Sequence, residues 1–170
     1  MDVRHAVVET ALGEITLVGR ADALAGLYFR HHWHRPAVAD LGRRVEAADD
    51  PLFGRAHVQL AEYLGGTRRL FDLPTATHGD PFQERVWALL AEIPYGRTTT
   101  YGDLAEQLGD RGLAQQVGQA VGRNPLCVVV PCHRVVGRDG SLTGYAGGLP
   151  RKRALLELEE PSPVAVGRLF

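Results

Sequence analysis

The sequence predicts an α+β protein of two units: a small N-terminal α/β unit built on an antiparallel sheet, then a C-terminal unit of short helices containing a helix-turn-helix. Three observations carry that reading. Residues 5–30 place β-branched and aromatic residues in short runs between turn residues; from residue 81 the apolar period becomes helical; and "TATHGDP", residues 75–81, has neither period and contains Gly and Pro. The units are therefore expected at 1–77 and 78–160, with an irregular tail over 161–170.

Each element follows from local chemistry. "HAVVET", "EITLVG" and "LAGLYF" read as three strands separated by "ALG" and "RADA". "HHWHRPAVAD" is loop-like. From Pro51, residues Leu52, Ala56, Leu60, Tyr63 and Leu64 recur at helical spacing until Gly65-Gly66 ends the run, and "RRLFDLP" is expected to add one more strand. Asp80, Pro81 and Gln83 form a capped helix start, with Phe82, Val86, Leu90 and Ile93 on one apolar face until "PYGR" stops it. Thr100 and Asp103 cap a short helix, "YGDLAEQL". Gly109-Asp110 then turns the chain into "LAQQVGQAV", whose inward residues are Leu113, Ala114, Val117 and Val121. The outer face of that second helix carries Gln115, Gln116, Gly118, Gln119 and Gly122, short or uncharged residues that fit either a solvent face or a close approach to a partner. Asp139-Gly140 is a hairpin signal, "YAGGL" a second glycine turn, and Leu155, Leu156 and Leu158 mark a last helix ending near Glu159.

Composition narrows the class of protein. The 170 residues are 45% hydrophobic and 23% charged, ample for a core. Asp2, Arg4, His5 and Glu9 interrupt any apolar N-terminal region, and the longest apolar run is far too short to span a bilayer, so a soluble, cytoplasmic protein with no membrane partner is expected. Only two cysteines occur, Cys127 and Cys132; a disulfide between them would close almost no loop, and reduced thiols are the better reading. The formal net charge is -1, yet between Arg111 and Arg153 seven basic residues, Arg111, Arg123, Arg134, Arg138, Arg151, Lys152 and Arg153, face one acid, Asp139. Such an excess suits either an ordinary solvated face or one that meets a polyanion.

The chemistry concentrates in "CVVVPCHRVV". A free cysteine in an apolar run is ordinarily a small buried hydrophobe. Pro131, however, cannot donate to a sheet ladder, so the strand must end or turn there and present Cys132 at its edge. His133 supplies a base beside the thiol, and Arg134 and Arg138 add positive potential that favours the thiolate. Neighbours on an extended strand point to opposite faces, so the backbone must turn before His133 can serve Cys132, even through water. A neutral imidazole base also needs a carboxylate to orient it, and none occurs locally before Asp139. Cys127 has neither turn nor base and reads as core.

"VVVPCHRVV", with Asn124-Pro125 upstream and "GYAGGL" downstream, resembles the active-site signature of the O6-alkylguanine-DNA alkyltransferases, and the likeness runs from about Phe82 to Glu159. The resemblance implies a ribonuclease-H-like N-terminal domain and a winged helix-turn-helix carrying the reactive cysteine. It implies single-turnover transfer of an alkyl group from guanine O6, and from thymine O4, in double-stranded DNA to Cys132, with no cofactor and no metal. His133 would be the base, acting through a water, and Glu159 would orient it. Asn124 would hold the turn carrying Cys132; Tyr101 would donate to the guanine as its oxygen leaves; and Tyr145, Ala146, Lys152 and the backbone carbonyls of Cys132 and Val135 would complete the pocket. Gln115, Gln116, Gly118, Gln119, Arg123 and Arg134 would meet DNA through its minor groove after the base is rotated out. A monomer is expected, with cooperative binding along DNA as the alternative.

Two departures from the pattern stand out. The family's intercalating arginine falls here on Gln115, which brings no charge, so weaker DNA binding or slower flipping is expected unless Arg111 or Arg123 compensates. Ala146 replaces a serine of some relatives. "HHWH" offers three histidines, His31, His32 and His34, but no cysteine or carboxylate at ligand spacing, and reads as a polar loop. Against an enzyme stand two other classes: an alkyltransferase-like binding module, which would lack the cysteine, and a winged-helix regulator with Cys132 as redox sensor, which would leave Tyr101, Tyr145 and Glu159 unexplained.

Overall fold

The structure is a computed structural model and describes residues 2–160; the expected tail over 161–170 lies outside the described residues. Three strands, β1 (Val3–Thr10), β2 (Gly13–Arg20) and β3 (Ala23–Phe29), form the expected antiparallel meander. Alternation sets its register: Ala6 pairs with Leu17 and Val8 with Ile15, so one face is apolar. A fourth strand not foreseen in the sequence, β4 (Arg43–Arg44), pairs parallel to β1 and gives the order β3-β2-β1-β4. It is two exposed arginines, with no apolar pattern to announce it.

Helix α1 (Pro51–Leu64) covers the sheet. Asp50 caps it, accepting from the Leu52 and Phe53 N–H groups, and Pro51 takes the first position, where no donor is needed. Its buried residues include Leu52, Phe53, Ala56, Leu60 and Tyr63. The strand expected over "RRLFDLP" is absent, because Gln59 occupies the backbone that a ladder would use: its Nε2 donates to Asp72 O at 2.9 Å and its Oε1 accepts from Asp72 N at 2.8 Å. Just after that segment, Thr75 forms an isolated bridge to Leu24 on β3.

Helix α2 (Pro81–Ala91) starts with the expected capping box between Asp80 and Gln83, and buries Val86, Trp87 and Leu90. Then come β5 (Thr99–Thr100), α3 (Tyr101–Gln107), a 3-10 turn over Arg111–Leu113, and α4 (Ala114–Gly122). Thr100 caps α3 through the Asp103 N–H. Trp87 Nε1 donates to Ala120 O at 2.8 Å and ties α2 to α4. Val117, Ala120 and Val121 face inward, leaving Gln115, Gln116 and Gln119 exposed. The chain returns through β6 (Val135–Val136), which pairs parallel to β5, and ends in α5 (Leu149–Glu159). Asp139-Gly140 does form a turn, closed by Gly137 N to Ser141 O at 2.8 Å, but among the described residues no strand follows it, so the expected hairpin is a loop.

The two halves meet along the β3 edge. Leu27 N donates to Pro125 O at 2.8 Å, and Trp33 N to Ala146 O at 2.9 Å, so β3 and the loop after it hold both loops that flank Cys132. Contact there is too close for a side chain at Gly147, where a Cβ would stand 2.4 Å from Phe29 Cδ2.

Candidate active site

The segment before Cys132 is neither an ordinary strand nor turned at the expected place. Leu126 bridges to Leu27 on β3 and Cys127 to Val130, but Val128 adopts φ +76°, a conformation β-branched residues rarely take, and Val130 N closes the turn on Leu126 O at 2.8 Å. The chain thus reverses before Pro131. Strain of this kind costs about 1–3 kcal/mol and needs a clamp. Asn124 supplies it: its Oδ1 accepts from Leu126 N at 3.0 Å and its Nδ2 donates to Val130 O at 2.9 Å, spanning both ends of the turn.

Cys132 then opens a 3-10 turn over Cys132–Arg134, which sends successive side chains to different sides. Cys132 is 3% exposed and His133 is fully buried. His133 Nε2–H donates to Glu159 Oε2 at 2.9 Å, which puts the free lone pair on Nδ1, a buried atom with no hydrogen-bond partner among the described residues. Glu159 is the distant carboxylate that the sequence required. Arg134 grips it with two bonds of 2.8 Å, and the Tyr63 hydroxyl donates to its Oε2. Burial pushes the Glu159 carboxyl up, but His133, Arg134 and Tyr63 outweigh that and hold it well below the usual carboxylate range. Burial likewise keeps His133 below its ordinary value against the pull of Glu159, so the imidazole is neutral and able to take a proton.

The thiol itself is poised to ionise. The Cys127 thiol against its sulfur pulls the Cys132 pKa down; burial opposes this, and the Asn124 amide and the Lys152 charge add to the lowering. Lys152 is 1% exposed, donates through Nζ to Thr143 O at 3.1 Å, and has its own pKa brought down by burial to about 8. Tyr101 Oη bonds Thr143 Oγ1 at 2.8 Å, and burial raises its pKa, so it stays a proton donor. Tyr145 and Ala146 are buried, the Tyr145 hydroxyl without a hydrogen-bond partner among the described residues, and Val135 is fully buried in β6.

Beside this cluster an open cleft of about 830 Å³ is lined by Trp33, His34, Tyr101, Gln115, Gly118, Gln119, Gly122 and Arg123. It gathers Gln115, Gly118, Gln119 and Arg123 of the residues that the sequence assigned to DNA, though not Gln116, and adds Trp33 and His34, for which no role was expected. Trp33 and His34 come from the loop read as merely polar; a tryptophan set among histidines was the available signal. Arg134 is a correction: it is buried, and its guanidinium is committed to Glu159 and to Ile93 O at 2.6 Å, so it presents nothing to a phosphate. Arg111 is exposed but engaged by Glu106 at 2.7 Å and Asp103 at 3.3 Å, which weakens it as a substitute for a charge at Gln115. Of "HHWH", His31 and His34 are exposed while His32 turns inward; among the described residues no group of three or more His, Cys, Asp or Glu side chains could hold a metal.

The 6-O-methylguanine DNA methyltransferase family matches in two parts: its ribonuclease-like domain over residues 3–77 and its DNA-binding domain over 81–161. The chain belongs to this methyltransferase family. The methylated-DNA–protein-cysteine methyltransferase of Mycobacterium bovis is 41% identical over 169 residues, covering 99% of each chain. That of Shigella flexneri is 56% identical over 102 residues, 59% of this chain and 60% of its own. The crystal structure of Mycobacterium tuberculosis OGT in complex with DNA matches at a TM-score of 0.83 and 41% identity over 92% of each chain. Like these methyltransferase relatives, the chain combines an N-terminal sheet unit with a C-terminal helical one, and among the described residues no helix is long and apolar enough to cross a membrane.

Proposed function

We propose that this protein repairs alkylated DNA directly, moving the alkyl group from guanine O6, or thymine O4, onto Cys132. The observation that carries the reading is the buried Cys132 followed by a neutral imidazole whose Nε2–H is fixed by Glu159 and whose Nδ1 is free. His133 Nδ1 takes the thiol proton through a water. The thiolate then attacks the alkyl carbon; the S–C bond forms as the C–O6 bond breaks, and the electron pair passes to the base, which gains a proton with Tyr101 as donor. Asn124 keeps the nucleophile's turn rigid, Tyr145 and the Ala146 amide border the base, and the Cys132 and Val135 carbonyls accept from the exocyclic amine. A base stacked in a duplex cannot reach a site this buried, so it is extruded first, which costs a few kcal/mol.

A thioether offers water no leaving group. Loss of O6-methylguanine from a duplex should therefore stop at one lesion per chain, whatever the excess of DNA; continued loss after the protein is consumed would refute the reading. The cleft along α4 is where DNA lies, with Gln115, Gln116, Gly118 and Gln119 entering the minor groove and Arg123 on a phosphate. One chain holds every group required, so it acts as a monomer, and two reduced thiols suit the cytoplasm.

Gln115→Arg adds a charge to this cleft. It should steepen the fall of log affinity with log salt by about 0.9 and speed repair, since one further phosphate or orphan-base contact is gained. Unchanged affinity, salt slope and rate would remove Gln115 from the interface.

A further inference from the structure

Two groups behind the nucleophile, Cys127 and His32, take no part in the bond-making and proton-transfer steps of the proposed reaction. Cys127 is fully buried, and the turn at Val128 folds the chain so that its sulfur lies 3.7 Å from Cys132 Sγ. On its other side stands His32, from the loop after β3, with Nε2 at 3.8 Å from Cys127 Sγ.

The tautomer of His32 decides which way these contacts run. Its Nδ1 lies 3.2 Å from Phe29 N, and a backbone N–H can only donate, so Nδ1 carries the lone pair and the ring proton is on Nε2. Burial, and then Arg35, His34 and Arg151, bring the His32 pKa down to about 4, which keeps the ring neutral near pH 7. Nε2–H therefore points a donor at the Cys127 sulfur. The Cys127 S–H has two acceptors in reach, Asn124 O at 3.9 Å and Cys132 Sγ at 3.7 Å. Once Cys132 ionises, the anion is the stronger acceptor.

We propose that His32 and Cys127 are positioning residues for the nucleophile: His32 Nε2–H donates to Cys127 Sγ, and Cys127 S–H donates to the Cys132 thiolate, so that the N-terminal half helps to hold the reactive sulfur in its charged form. His32 touches no substrate atom, and it acts only through Cys127. The other titratable groups facing Cys132 are Lys152, Tyr101 and Tyr145, none of which a change at Cys127 removes. The inference rests on Cys132 being the alkyl acceptor, but its test needs no DNA, so it can fail while the repair reading stands.

The measurement is the pH midpoint of Cys132 ionisation in the full chain, from the pH dependence of its alkylation by iodoacetamide read by intact mass, alongside thiolate ultraviolet absorbance. Cys127→Ala should raise the midpoint by about one pH unit, a tenfold loss of thiolate below it. Cys127→Ser, which keeps a donor, should stay close to the parent protein. His32→Ala should raise the midpoint by less, and should add nothing in the Cys127→Ala background, the signature of two groups acting in series. Should Cys127→Ala not fold, Cys127→Val against Cys127→Ser makes the same comparison. An unmoved midpoint in the variant without a donor, or an equal His32→Ala shift in both backgrounds, would overturn the proposal.

Discussion

Glu159→Gln is expected to slow alkyl transfer by about 10²- to 10⁴-fold, the range that proton transfer by a positioned base contributes, with about 10⁴ the loss when an orienting carboxylate becomes an amide. Glu159 accepts the His133 Nε2–H at 2.9 Å and so leaves the ring lone pair on Nδ1, the proposed base. An amide can instead present its NH₂ to Nε2, which moves the ring proton to Nδ1 and removes the base from the side where it is needed. The neutral amide also withdraws the charge that stabilises the imidazolium formed when His133 takes the thiol proton. Single-turnover kinetics with a methylated duplex measure the effect, and far-ultraviolet circular dichroism checks that the variant is folded. A folded Glu159→Gln protein with an unchanged rate would mean that His133 is not the base.

Arg134→Met should act differently, on stability rather than on DNA. Removing one member of a buried charge pair costs about 3–5 kcal/mol, because the remaining charge keeps its desolvation penalty. In a chain of this size that corresponds to a fall in melting temperature of roughly 10 °C. Glu159 would retain His133, Tyr63 and the Gly96 N–H at 3.4 Å, but not the two bonds that neutralise it. A phosphate-binding arginine predicts the reverse: little change in melting temperature, and a salt slope of DNA binding shallower by about 0.9. Thermal melts and salt titrations on the same variant separate the two roles.

The features readable in the sequence are those set by short-range chemistry. The three strands of the meander, the Asp80–Gln83 capping box and the Thr100 cap each depend on neighbours within a few residues. Where a side chain from elsewhere takes over the backbone, local pattern misleads, as Gln59 does at Asp72. The site shows the same division. Cys132 and His133, the proposed nucleophile and base, stand out locally because Pro131 and the imidazole adjoin the thiol. Glu159 was reached through family resemblance, since its pairing with His133 crosses from α5 to the 3-10 turn. Tyr63 read only as an apolar helix face, Cys127 as core and His32 as part of a polar loop; their places beside the site depend on a helix face, a left-handed valine and the loop after β3, which no local pattern reveals. Arg134 was misplaced for a related reason: a charge count gives the number of cations and not which way the turn at Cys132 points them.

The most direct test of the central claim is to find where the methyl group goes. The full chain is mixed with a duplex containing a single O6-methylguanine, and the protein is analysed by intact mass and then by peptide mapping. The expected result is a gain of one methyl group, located on Cys132, with restored guanine in the DNA and no gain in Cys132→Ser. Restored guanine with no methyl on the protein, or a methyl on any residue other than Cys132, would contradict it.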